Sequence, residues 1–393
     1  MSRIAAVVHA VYPGDTRVRR QADALLAAGH QVDVICLRRP GEAAQQEHAG
    51  ARVIRLPVTR AFESFAGHLA EYVAFAALAA VRLAREHRRQ RYHLVQVANV
   101  PDFLAFAAAP LKLSGIPILL DLHEDMPEFF RDRFAHPLLA PFHPTVTASA
   151  KFAAAFASEI ITVHEPLRQL SIGRGVPAEK IKVVMNSPDP RLFDSAAHAR
   201  RPFMQDGELR LIHHSNLQRL YGLDIAVAAL ASLDAEQLPW RLDVYGEGPW
   251  RRAIESAIAR TGTAGRIRLH GWAKLEELPR LLAGADIGLV PSRDEPYLRY
   301  SLSQKLLEYA VMGVPTVATD LATFRAHFTD AALRFVPGGQ PGPLAAAIRA
   351  LAGDPVATAR MGVEAQRQAA PYAWNLQASR YMEIVERLSL GRN

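Results

Sequence analysis

The sequence predicts an α/β protein built on doubly wound parallel sheets, and three observations carry that expectation. The first is the stretch from Asp286 to Asp320. Its apolar run, Ile287-Gly288-Leu289-Val290, closes on Pro291-Ser292 as a buried strand entering a loop. A polar loop then reaches a helix with Ser303 as N-cap and apolar residues at Leu306, Leu307, Ala310 and Met312. Gly313-Val314-Pro315 stops the helix, and Thr316-Val317-Ala318-Thr319 starts the next buried strand. The second observation is a βαβ pattern at the chain's opening. The third is a fresh series of strands and helices from Leu209 onward. In such units ligands bind beyond the carboxyl ends of the strands, where free helix N–H groups can hold phosphate.

Composition sets the outer limits. A chain of 393 residues is long enough for two ordinary domains with full cores. Half the residues are hydrophobic and 22% are charged, which excludes a disordered chain. The net charge of +7 favours anionic partners, and nucleotide sugars, anionic lipid surfaces and nucleic acid all qualify on charge alone. The single cysteine, Cys36, lies in a strand-like run and reads as a buried apolar residue, with no disulfide framework. The opening MSRIAAVVHA is too short for a signal peptide or a membrane span, so the expected location is cytoplasmic.

Taken in order, Ile4 to Val8 is the first strand, and a loop carrying Asp15 and Arg17 leads to a helix with Ala22, Leu25 and Leu26. Gln31 to Leu37 is the second strand. The turn between strand and helix lacks G-x-G-x-x-G, which argues against a standard dinucleotide site. Asp15 and Arg17 read equally well as a cap and ion pair across a turn or as site residues. Residues 65–91 then give a helical stripe of Leu69, Tyr72, Val73, Ala76, Ala80 and Leu83, followed by a strongly basic run. That is either an interfacial helix resting on anionic lipid or a domain helix with a solvated charged end.

His93 to Val97 is a strand followed by Asn99, and Gly115 to Leu120 is another, ending in Asp121-Leu122-His123. His123 thus stands where open α/β sheets build their sites, although a histidine there also serves as a plain hydrogen-bonded loop residue. Phe129 to Pro144 is aromatic, proline-bearing and basic, and is expected to be mobile or to face an acceptor. Ile160 to Val163 is the next strand, and the polar stretch Asp194 to Glu208 is the expected hinge. Beyond it come a strand ending at His214, the loop Ser215 to Gly222, a helix to Leu233, and a strand to Tyr245 with a turn at Gly246. Trp272 follows one more strand, either flanking a ligand or buried as a core residue.

Several strings resemble one family. Ser-Leu-Ser-Gln-Lys-Leu-Leu-Glu-Tyr-Ala from Ser301, with Gly-Val-Pro-Thr-Val-Ala-Thr-Asp from Gly313, resembles the donor-binding signature of family 4 glycosyltransferases. Tyr12 to Arg19, Ala28 to Val32, Asn99 to Leu104, Asp121 to Glu128 and Lys180 to Phe193 resemble that family's N-terminal domain. The resemblance implies the GT-B fold, two Rossmann-like doubly wound domains facing across a cleft. Residues 1–195 would form the acceptor-side domain and 205–374 the donor-binding domain, with a terminal helix over 375–393 packing back on the first.

It also implies a retaining, metal-independent transferase that moves a sugar from a nucleotide diphosphate sugar to an acceptor hydroxyl. No cofactor, metal or nucleic-acid partner is expected, and no Asp-x-Asp occurs in the chain. Glu308 would hold the ribose hydroxyls, since a carboxylate offers two acceptor oxygens. Ser301, Leu302, Ser303, Tyr300, Glu295, Trp272, Gly246 and Asn216 would complete the donor site. His123 would face the sugar, and Arg219 and Lys305 the diphosphate, where positive charge stabilises a leaving group. Asp15, Arg17 and Asn99 would face the acceptor, a glycolipid or polysaccharide precursor, another glycan or a small molecule. Apart from the resemblance, an anionic membrane would be a peripheral partner if the helix and basic run over 65–91 rest on lipid. The chain departs from the family pattern in carrying Tyr300 where a second Glu is common, Ser215 in place of Gly, and Tyr221 where a Lys is common. A sugar-nucleotide 2-epimerase of the same fold, or an inactive GT-B scaffold, are the alternative readings.

Overall fold

The computed structural model describes residues 1–58, 64–134, 137–234 and 238–390. The chain divides into two compact units, one made of Met1–Asn186 with Asn375–Asn393, the other of Ser187–Trp374. The expected boundary near residue 195 therefore falls earlier. The expected hinge, 194–208, lies inside the second unit and is tied to it. Arg201 N donates to Ala283 O at 3.1 Å, and Arg200 donates to Ala285 O at 2.8 Å.

Among the described residues, the first unit holds an eight-stranded sheet in the order β3-β4-β2-β1-β5-β6-β7-β8. Its strands are β1 (Arg3–Val8), β2 (Gln31–Leu37), β3 (Gln45–His48), β4 (Ala51–Leu56), β5 (Leu94–Ala98), β6 (Ile118–Leu122), β7 (Glu159–Thr162) and β8 (Ile181–Val183). All pair in parallel except β3, which runs antiparallel to β4 at the edge. The near-continuous burial of β1, β2 and β5 is what a parallel sheet covered on both faces requires. Cys36 is among the buried residues. The strand order turns around between β1 and β5, so the loops after β1, β5 and β6 collect at a topological switch point.

A polar chain runs through this unit. Tyr381 of the terminal helix Trp374–Leu390 donates to Gln96 at 2.5 Å. Gln96 donates to Gln21 at 2.8 Å, and Gln21 to Asp121 at 2.8 Å. Gln377 accepts from Met185 N at 3.1 Å, and Arg387 pairs with Glu159 at 2.7 Å. Buried polar side chains persist because each has a partner. The segment expected to be mobile or to face an acceptor is largely helical where described, in Met126–Arg133, Pro137–Phe142 and the start of His143–Phe156; its residues 135–136 lie outside the described set. Phe65 packs edge-on against Phe130 and Phe134, which gives the segment an aromatic core.

The second unit holds a six-stranded parallel sheet, β11-β10-β9-β12-β13-β14, among the described residues. Its strands are β9 (Leu209–His214), β10 (Trp240–Tyr245), β11 (Ile267–His270), β12 (Ile287–Val290), β13 (Thr316–Thr319) and β14 (Arg334–Val336). The order reverses between β9 and β12. That crevice receives the loops 215–222 and 291–303 and the helix Gln304–Val311.

Candidate functional site

The helix Gln304–Val311 is set by its surroundings. Tyr309 lies on Gly288 of β12, where a Cβ would run into the ring, and its hydroxyl donates to Ile212 O at 3.3 Å. Gly313, at φ +65°, ends the helix: its N–H reaches Ala310 O and the Val314 N–H reaches Tyr309 O. Ser303 occupies the N-cap position, as the sequence suggests, but its hydroxyl makes no capping bond. The first-turn N–H groups therefore have no side-chain cap, which is the arrangement that receives an anion at a helix N-terminus.

Two charged side chains are buried on this helix, Lys305 and Glu308, 6% and 7% exposed. His214, the last residue of β9, places Nε2 2.7 Å from Glu308 Oε2. Burial, with the Lys305 charge beside it, drives the His214 pKa down to about 3. The ring is thus neutral, donates from Nε2, and leaves Nδ1 as a bare acceptor without a hydrogen-bond partner. His213 is fixed likewise. Nδ1 donates to Leu289 O at 2.9 Å, so Nε2 must accept from the Ser215 hydroxyl at 2.8 Å. Lys305 Nζ sits 4.3 Å from the centre of the Tyr221 ring. Burial lowers its pKa to about 8, against the raising influence of Glu308. Tyr221 thus supplies a ring face to Lys305.

The loops around the helix are drawn close by glycine. Gly222, at φ +63°, and Gly246, at φ +143°, leave no room for a Cβ against Pro291 O and Ser215 O. Asn216 is exposed on the first loop, beside Gly248. Tyr300 ends the 3-10 turn Tyr297–Tyr300, and Ser301 and Leu302 run half-buried into the helix. Trp272 is 63% exposed, which removes the core-tryptophan alternative. Just before it, Tyr245 and His270 stack at 4.5 Å.

Arg219 and Glu295 differ from expectation. They come from separate loops, and Arg219 donates to Glu295 Oε2 at 2.7 Å, so the two engage each other. Arg219 is the more exposed partner, and such a pair is readily exchanged for another anion.

In the first unit, the expected acceptor-side residues turn inward. Asp15 caps the helix Thr16–Ala27, accepting from Arg17 N and Val18 N. Arg17 is 6% exposed and forms a fork with Asp121 at the end of β6, Nε to Oδ2 at 2.8 Å. Asn99 is fully engaged. It donates to Asp102 Oδ1 at 2.9 Å and Glu124 O at 2.7 Å, and accepts from His123 N at 3.1 Å and Glu124 N at 3.3 Å. Its work is to fix the loop bearing His123. Burial pushes the pKa of its neighbour Asp102 up to about 7. His123 itself is half-buried, with Nδ1 unpaired; burial and the Arg17 charge lower its pKa, opposed by Asp121 and Asp15.

Sequence reasoning placed His214 and Asp121 only as strand ends and Tyr221 only as a departure from the family pattern, and missed their pairing with Glu308, Arg17 and Lys305. The available signal was two adjacent histidines closing a strand at a switch point. Among the described residues, no group of three or more His, Cys, Asp and Glu side chains is placed to hold a metal ion.

Two family models match the chain, a glycosyl transferase 4-like domain over residues 14–187 and glycosyl transferases group 1 over 208–354. A 2-deoxystreptamine glucosyltransferase of Streptomyces kanamyceticus is 25% identical over 319 residues, covering 77% of this chain and 79% of that protein. A putative colanic acid biosynthesis glycosyltransferase of Salmonella typhimurium is 28% identical over 159 residues, covering 39% of this chain and 38% of its own length. Among solved structures, Anabaena Alr3699/HepE in complex with UDP and glucose superimposes with a TM-score of 0.70 at 18% identity, covering 98% of this chain and all of that one.

Proposed function

Because the chain belongs to the family 4 glycosyltransferases of the GT-B fold, we propose that it is a retaining, metal-independent enzyme that transfers a sugar from a nucleotide diphosphate sugar to an acceptor hydroxyl. The observation that carries this reading is the helix Gln304–Val311. It joins an uncapped N-terminus to a buried lysine and a buried glutamate three residues apart, at the sheet's switch point. Glu308, oriented by His214, accepts the two ribose hydroxyls. Lys305 and the first-turn N–H groups hold the diphosphate, and Arg219 joins them by exchanging Glu295 for phosphate oxygens. These groups supply the positive charge that a leaving diphosphate needs. The similar Anabaena structure, solved with UDP and glucose, supports a uridine nucleotide as the first donor to try.

For the acceptor we favour a glycolipid or polysaccharide precursor, in line with the colanic acid relative. The 2-deoxystreptamine glucosyltransferase gives a specific reason to keep a small aminocyclitol as the second reading. The test is release of nucleoside diphosphate from a panel of nucleotide sugars, with and without these acceptors, in EDTA. Acceptor-dependent turnover that survives EDTA supports the reading. Loss of turnover that magnesium or manganese restores would overturn its metal independence. Conversion of the donor without acceptor would assign an epimerase, and binding without turnover an inactive scaffold.

A further inference from the structure

The helix Phe65–Arg89 is long and apolar enough to cross a membrane by length and composition alone. Its inner stripe rules that out. Phe75, Ala79 and Leu83 are packed into the first unit's core. Both of its acids face inward: Glu71 lies 3.1 Å from His9, and Glu86 lies 2.6 Å from Arg52. The helix is one layer of the domain and has a single outer face.

That outer face is apolar and then basic. Leu69, Val73, Leu78 and Val81 are exposed along it, with alanines between them, and the exposed Arg85, Arg88 and Arg89 follow at the helix's C-terminal end. Neighbouring elements repeat the pattern. The helix packs against the 3-10 helix Asp102–Ala108 and the short helix Ala109–Leu113, and the 3-10 helix packs against His143–Phe156. These present Leu113 and Phe152, 91% and 67% exposed, beside Lys112 and Lys151 in sequence. Among the described residues of these four elements the acids are Glu71, Glu86 and Asp102, and all three are buried.

We propose that this face of the first unit docks on an anionic lipid bilayer, with the arginines and lysines at headgroup level and Val73, Val81, Leu113 and Phe152 entering the acyl boundary. Large exposed apolar residues with a basic fringe, and no exposed acid among the described residues of these four elements, match the chemistry of that interface. A second copy of the chain is the less complementary occupant, because it brings the same excess of positive charge. The face uses none of the donor-site residues, so its test and the test of the donor reading fail separately.

The experiment is co-sedimentation of the full chain with phosphatidylcholine vesicles, and with vesicles of phosphatidylcholine and phosphatidylglycerol, at low and high salt. The protein should pellet with the anionic vesicles at low salt and be released as salt screens the attraction. Val73→Glu/Val81→Glu should abolish pelleting, and Arg85→Gln/Arg88→Gln should weaken it about fivefold per arginine removed. Both double variants should keep the wild-type melting temperature and UDP affinity, since the altered side chains are exposed. Wild type remaining in solution with anionic vesicles, equal binding to both vesicle types, or pelleting undiminished by Val73→Glu/Val81→Glu would overturn the proposal. A dimer in light scattering that Val81→Glu splits would also overturn it, assigning the face to a second copy.

Discussion

His214 Nε2 stands 2.7 Å from Glu308 Oε2, joining the end of β9 to a helix that begins after β12. A neutral imidazole here aims a carboxylate without cancelling its charge, so the group proposed to bind ribose is held by a donor that stays uncharged above about pH 3. We expect His214→Ala to weaken nucleoside diphosphate binding about tenfold, because hydrogen bonds to charged groups contribute about 1.5–3 kcal/mol. His214→Gln, which keeps an N–H donor, should recover part of the loss. Titration calorimetry reads both. Equal losses in the two variants would mean that packing, and not the donated hydrogen bond, is what His214 supplies.

Lys305 gives a pH dependence. Burial lowers its pKa to about 8, so in the free enzyme it is charged below that value and loses its proton above it. The charged form is the one that attracts diphosphate. Donor kcat/KM, which reports ionisations of the free enzyme, should therefore be level below pH 8 and fall as pH rises beyond it. Lys305→Met should lower kcat/KM and remove this limb. A profile that keeps the limb in Lys305→Met would assign it to another group.

Arg219 and Glu295 predict an effect of opposite sign. If Arg219 must leave Glu295 to meet the diphosphate, Glu295→Gln removes the competitor. An exposed pair contributes about 0.2–1 kcal/mol, so nucleoside diphosphate affinity should rise by up to about fivefold. A tenfold fall would show that Glu295 itself touches the donor.

The alternation of strands and helices was legible because glycine and proline mark the ends of short apolar runs, as at Gly313-Val314-Pro315. Lys305 and Glu308 were legible because their motif lies within one helix. The partners were not. His214 meets Glu308 across 94 residues, Arg219 meets Glu295 across 76, and Arg17 turns inward to an aspartate 104 residues away. Nothing local tells a polar residue at a strand's end whether its partner is a ligand or a distant side chain. Asn99 shows the consequence: read as facing an acceptor, it spends its hydrogen bonds on Asp102 and on the loop of His123 and Glu124.

The central claim is that Glu308 accepts the ribose hydroxyls, and Glu308→Gln tests it most directly. The amide oxygen can still accept from His214 Nε2, so the fold should hold, which a melting curve checks. One acceptor becomes a donor and the charge is lost. By the strength of hydrogen bonds to charged groups, UDP affinity measured by calorimetry should fall about tenfold or more. A Glu308→Gln protein that melts like the wild type and binds UDP equally well would contradict the account.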